Sequence, residues 1–231
     1  MSSCLFGEIV EPTTRALVNE DIDFPPYVEV PQEWEGNTEV PKEVDTLIFL
    51  ETDNLNKIFS SCIIHDNKPV CKLKNGGIKI FNVGDDKYIV TFFEEKQFNT
   101  GQIVEALSDW IFIAENIYTI TTDSICKYQN FDLVDHPSSV IRIISNSSTR
   151  NTLEYVQLEP PNLVTGLGSS VLTYCIHMKM RKCTLFIAYM DISPLDFLNS
   201  GAILSLLKKL KIKVRNSHIQ DNNVLASNLY I

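Results

Sequence analysis

The chain has 231 residues, 44% of them apolar, six cysteines and a net charge of −9. A chain of this size buries about 70% of the surface exposed by its unfolded form, so metal or disulfide staples are not required for a core. Eleven carboxylates in residues 1–45 face only Arg15 and Lys42, whereas the other 186 residues balance 18 acids with 18 bases, leaving no basic stripe for a nucleic acid.

Residues 1–42 read as an extended acidic arm, punctuated by Pro12, Pro25, Pro26, Pro31 and Pro41. It carries apolar patches at Leu5–Val10 and at Phe24, Tyr27, Val28, Val30 and Trp34. Two readings stand: a tail with chance aromatics, or an arm that packs on its own domain or on a partner. From 43 to 215 the pattern is that of a folded α/β domain. Thr46–Leu50 is a short apolar run suited to a buried strand. Leu55, Ile58, Phe59, Cys62 and Ile63 have helical spacing, with Asp53 as the expected N-cap. Val70–Lys74, Ile78–Phe81 and Lys87–Phe93 follow as an antiparallel meander, separated by Asn75-Gly76-Gly77 and Gly84-Asp85-Asp86.

Thr100–Glu115 is expected as one helix, with Ile103, Val104, Leu107, Trp110, Ile111 and Ala114 on its apolar face. Strands are expected at Asn116–Thr122 and Val140–Ser145, with residues 124–138 and 146–162 as connections. Thr165–Met180 reads as a helix with Gly166 and Gly168 at its start and Val171, Leu172, Cys175 and Met178 inward. Thr184–Met190 has no charge in seven residues, which marks a strand buried on both faces. Ser193-Pro194-Leu195-Asp196 opens a last helix, with serine at the N-cap, proline at N1 and an acid at N3, running to about Leu210. Lysines crowd its C-terminal end, where the helix dipole favours cations. Helices alternating with buried strands imply a layered α/β/α sandwich with a mixed sheet. Residues 216–231 lack an apolar period and read as a flexible tail ending in Leu229-Tyr230-Ile231, which sets an apolar side chain, a tyrosine and a carboxylate side by side. Such an end suits capture in a prepared pocket.

No catalytic set is legible. Gly166-Leu167-Gly168-Ser169-Ser170 lacks the P-loop lysine, so it is either an anion cradle at a helix N-terminus or a helix start packed tightly on the sheet. Asp191, directly after the buried strand, is either a catalytic carboxylate or a helix cap. Cys175 and His177, two apart on a helix, point about 200° away from each other and form no dyad; the cysteine belongs to the core and the histidine to the surface. Four scattered histidines (His65, His136, His177, His218) support no metal site, and no cofactor is expected. Cys4, Cys62, Cys71, Cys126, Cys175 and Cys183 form no Cys-x-x-Cys pair and no secretory h-region opens the chain, which implies a reduced, cytoplasmic protein. No run approaches the roughly 18 apolar residues of a membrane span.

Three segments resemble the proteasome assembly chaperone 1 family. They are Phe6-Gly7-Glu8-Ile9-Val10 with Arg15-Ala16; Leu158-Glu159-Pro160-Pro161-Asn162-Leu163-Val164 leading into Val171-Leu172-Thr173-Tyr174-Cys175 and then Phe186–Tyr189, Asp191 and Leu195-Asp196; and Ser227-Asn228-Leu229-Tyr230-Ile231. The resemblance implies a non-enzymatic chaperone that pairs with proteasome assembly chaperone 2 as a heterodimer and rests on proteasome α-subunits. It further implies that Leu229, Tyr230 and Ile231 enter a pocket between those subunits, where a lysine meets the carboxylate. The competing expectation is an α/β enzyme of nucleoside-processing type, with a pocket near Gly166–Ser170 and Asp191.

Overall fold

Among the described residues, nine strands make one mixed sheet, with helices on both faces. The computed structural model describes residues 32–63, 68–74, 77–93, 99–129, 139–146, 153–180, 182–191 and 197–215. In chain order the strands and helices are Trp34–Gly36 (β1), Val44–Leu50 (β2), Asp53–Cys62 (α1), Cys71–Leu73 (β3), Ile78–Gly84 (β4), Lys87–Phe92 (β5), Thr100–Ala106 (α2), Ser108–Ile113 (α3) and Ala114–Ser124 (β6). A 3-10 turn at Ile125–Lys127 precedes Ser139–Ser145 (β7), Val156–Gln157 (β8), Leu167–His177 (α4), Cys183–Met190 (β9) and Phe197–Lys209 (α5). The sheet order is β1-β3-β4-β5-β2-β6-β9-β7-β8. The central strands β5, β2, β6 and β9 run parallel, and β4 and β7 flank them antiparallel.

Alternation along the strands assigns the two cores. Ile48, Leu50, Ile120, Phe186, Ala188 and Met190 face α1 and α5, where Leu55, Ile58, Ile203, Leu206 and Leu207 complete one cluster. The opposite face carries Leu47, Phe49, Ile117, Leu185 and Ile187, each at most 1% exposed, and takes α3 and α4, with α2 packed against α4. The uncharged run expected to be buried on both faces is β9, which lies between β6 and β7. Cys62, Cys71, Cys175 and Cys183 are buried free thiols, as expected of core cysteines, and Cys126 is exposed. Burial pushes the Cys71 thiol up to about 11, which keeps it protonated and inert.

Several boundaries differ from those read in the sequence. The expected helix over Thr100–Glu115 is two helices and the start of a strand. The chain breaks at Leu107, whose N–H is shared between the carbonyls of Ile103 and Val104, and Ala114 pairs with Val44; sheet pairing overrides the helical preference of Ala-Glu. The N-cap of α1 is Thr52, not Asp53, and it makes no side-chain cap bond. Within the segment read as an arm, Trp34–Gly36 pairs with β3 at the sheet edge, and Lys72 and Lys74 pair with Glu35 across that ladder. Val156–Gln157, read as part of a connection, adds a two-residue edge strand beside β7; it is too short to show a period. Met178 lies past the end of α4 and is 47% exposed rather than inward. Residues 1–31, the expected helix opening at Ser193–Asp196 and the expected tail from 216 onward lie outside the described residues.

Candidate functional site at the carboxyl end of the sheet

In open α/β sheets ligands bind outside the carboxyl ends of the strands, where neighbouring connections diverge. Here that point lies between β2 and β6. The chain leaves β2 toward β3, β4 and β5 and leaves β6 toward β7 and β9. Glu51 and Thr52 directly follow β2, and Thr121 and Thr122 lie near the end of β6. Above them stands the N-terminus of α4, whose free amides favour an anion.

The anion present is the protein's own. Leu167 N–H donates to Glu51 Oε1 at 2.6 Å and Gly168 N–H to Glu51 Oε2 at 3.0 Å. The hydroxyls of Thr52 and Thr122 share a hydrogen bond of 2.8 Å across the crevice. Both glycines are explained by this plug. Gly166 has φ +102°, and a Cβ there would overlap the Glu51 carboxylate. A Cβ on Gly168 would come within 2.9 Å of Leu185 Cδ1 and 3.1 Å of Glu51 Oε2. Both sequence readings of this segment therefore hold: the helix start cradles an anion and is packed tightly on the sheet, and the anion is Glu51. Sequence reasoning passed over Glu51. Its signal is an acid directly following a buried strand, but the contact spans 116 positions and no local pattern announces it.

Beyond the plug, the serines of α4 face a groove of about 720 Å³ between α2–α3 and α4, which includes Gly101, Glu105, Ser170 and His177. Ser169 and Ser170 donate back to the Gly166 carbonyl at 2.8 and 3.0 Å, which leaves Ser170 Oγ to accept from the Thr100 hydroxyl 2.9 Å away. Ser170 and His177 stand two turns apart, about 10 Å along the axis, so His177 does not reach the hydroxyl. Asp191 sits exposed at the end of β9; the helix start it was expected to cap lies outside the described residues. As expected, Cys175 is buried and His177 exposed; the other three histidines lie outside the described residues. No metal-holding group of His, Cys, Asp or Glu occurs among the described residues.

The segment that carries the family resemblance makes a polar clamp beside the plug. Glu159 accepts from the Tyr128 hydroxyl and, at 3.1 Å, from Arg142 Nε. Arg142 stacks 5.0 Å from the Tyr128 ring centroid, and Tyr128 lies 4.9 Å from Tyr189. Burial works against ionisation of Glu159, but the Tyr128 hydrogen bond and the Arg142 charge outweigh it and hold the carboxyl below its usual range. Asn162 accepts from Gln129 N–H at 2.9 Å and donates to the Gln129 carbonyl at 2.8 Å. This clamp ties the loop after β6 to the segment entering α4, and it leaves Leu163 89% exposed. The residues expected to bind a partner, Leu229, Tyr230 and Ile231, lie outside the described residues.

No family model matches the sequence, and no curated protein matches it. Solved structures do resemble it. PbaA of Pyrococcus furiosus, an archaeal homologue of proteasome-assembly chaperone, is 14% identical with a TM-score of 0.53, over 80% of this chain and 88% of PbaA. PbaB of the same organism, an archaeal proteasome activator, is 11% identical with a TM-score of 0.53, over 80% of this chain and 91% of PbaB. A Corynebacterium glutamicum protein of unknown function is 13% identical with a TM-score of 0.54, over 79% of this chain and 82% of that one. The chain thus has the α/β/α fold of PbaA, a homologue of proteasome-assembly chaperone.

Proposed function

We propose that this protein is a proteasome assembly chaperone. The observation that carries the reading is the fold shared with PbaA over 80% of the chain, joined to the order of the resembling segments at the start, in the C-terminal third and at the end of the sequence. The filled crevice supports a non-enzymatic role, because the amide pair that an α/β enzyme turns toward a substrate anion is occupied by Glu51.

The finer reading assigns parts. The domain of residues 43–215 pairs with a second, related chaperone of the proteasome assembly chaperone 2 type, in the cytoplasm. Residues 216–231 are the tail that reaches the α-ring, and the acidic arm of residues 1–42 precedes the domain, less the strand at its end. Fifteen extended residues span about 50 Å, ample for a tail to leave the domain and reach a ring surface. Leu229, Tyr230 and the carboxylate of Ile231 enter a pocket between α-subunits. Recovery of the full chain from cells, followed by mass spectrometry, is expected to yield proteasome α-subunits together with a second small chaperone. Deletion of Leu229–Ile231 is expected to lower α-subunit recovery at least tenfold while the second chaperone stays bound and the melting temperature is unchanged. Equal α-subunit recovery by the deleted chain would remove the tail from the mechanism.

A further inference from the structure

On the face of the sheet opposite α4, a cavity of about 550 Å³ lies between α1 and the ends of β4 and β5. Its size falls in the range of small-ligand sites. Its apolar wall is aromatic: Phe59 and Phe81 lie 4.8 Å apart, centroid to centroid, and Phe93 stands 39% exposed at the mouth. Two buried polar side chains, Asn56 at 5% and Thr91 at 2% exposure, belong to the same lining.

Asn56 gives the cavity its polarity. Its Nδ2 donates to the Phe92 carbonyl at 2.8 Å, which fixes the amide's orientation. Oδ1 is left buried, with no hydrogen-bond partner among the described residues. An unpaired buried acceptor is costly and asks for a donor. At the mouth stand the exposed Lys57 and Lys79 and the exposed Asp53. Lys79 Nζ sits 5.2 Å over the Phe93 ring. The rim thus carries a net charge of one positive unit, which matches a single carboxylate and disfavours a polyanion such as a nucleotide.

We propose that this cavity binds an apolar carboxylate with an N–H beside it: an N-acylated hydrophobic amino acid, either free or as the last residue of a peptide. The apolar side chain lies against Phe59, Phe81 and Phe93, the carboxylate meets Lys57 and Lys79, and the N–H donates to Asn56 Oδ1. This site is independent of the tail and of the chaperone reading.

The test is titration of the full, ¹⁵N-labelled chain with N-acetylphenylalanine, its C-terminal amide, its N-methyl derivative and a hexapeptide ending in phenylalanine. The acid is expected to shift the backbone amides of Asn56, Phe92 and Phe93. The amide and the N-methyl derivative each bind about fivefold more weakly, the effect of one lost ion pair or hydrogen bond. Lys79→Glu, a surface change that leaves the fold intact, is expected to weaken the acid by at least fivefold and leave the amide unaffected. Asn56→Leu abolishes the difference between the N–H and N-methyl forms. Tighter binding of the hexapeptide than of the free acid assigns the ligand to a protein terminus; equal binding assigns a free small acid. Absence of shifts at millimolar acid, or equal affinity for acid and amide, overturns the proposal.

Discussion

The two faces of β2 meet the carboxyl end of the sheet in opposite ways. On the α4 side, Glu51 fills the helix N-terminus and satisfies two amides. On the α1 side, Asn56 keeps one end of its amide bonded and leaves the other, beside a cavity, without a partner among the described residues. The first arrangement is closed by charge, because a carboxylate on backbone N–H groups is among the stronger hydrogen-bonded pairs in a protein. The second is neutral and incomplete. An α/β fold can therefore retire its customary ligand crevice with one acid and two glycines while a different crevice, one strand away, keeps an acceptor that no described residue satisfies.

Gly166→Ala probes the comparison hardest. The substitution forces an L side chain into φ +102° and displaces the Glu51 carboxylate. Strain of about 1–2 kcal/mol and loss of charge-assisted bonds of about 1.5–3 kcal/mol combine to a destabilisation of about 4 kcal/mol in urea unfolding. Glu51→Ala, which removes the plug without the strain, is expected to cost about 2–3 kcal/mol. The double variant should cost less than the two singles together, because both remove the same contact; full additivity would mean that Gly166 and Glu51 do not act on each other. Asn56→Leu is expected to have the smallest effect, within about 1 kcal/mol of the parent, because the unpaired acceptor disappears along with the bond to Phe92. A loss as large as that for Glu51→Ala would show that Asn56 is as fully satisfied as Glu51 and would erase the contrast.

Much of the fold was legible because its signals are local. The uncharged run from Thr184 to Met190 declared a doubly buried strand, and it lies between two others in the sheet. The glycine-bounded runs declared the meander of β3, β4 and β5. The helix period over Leu55–Ile63 declared α1, and Leu55, Ile58 and Phe59 are buried as that period requires. The misreadings share one cause. Ala114 and Glu115 are good helix formers, and only the pairing of Ala114 with Val44 makes them strand. Thr52 replaces Asp53 at the cap of α1, and its hydroxyl is held by Thr122, seventy positions away.

The candidate site was legible only in part. Gly166 and Gly168 stood out as a helix start near the sheet, and the segment from Leu158 to Val164 stood out by resemblance. Neither feature disclosed that Glu159 would grip Arg142 and Tyr128, or that Asn162 would fasten to Gln129. Asn56 is silent in the sequence, since a single asparagine on an apolar helix face carries no periodic signal.

The sequence by itself determined the order of β2 to β7 and β9, the helices α1 and α4, most of the buried faces, the placement of core cysteines and the terminal Leu229-Tyr230-Ile231 that the proposed function uses. These follow from side-chain spacing and composition, which are properties of neighbouring residues. Only the tertiary structure decided that Glu51 closes the crevice and that Asn56 Oδ1 meets no donor among the described residues. Both outcomes depend on where distant backbone groups come to rest. Leu167 N–H reaches Glu51 across 116 positions, and the Phe92 carbonyl reaches Asn56 across 36. A hydrogen bond is satisfied by geometry at about 3 Å, whatever the separation along the chain.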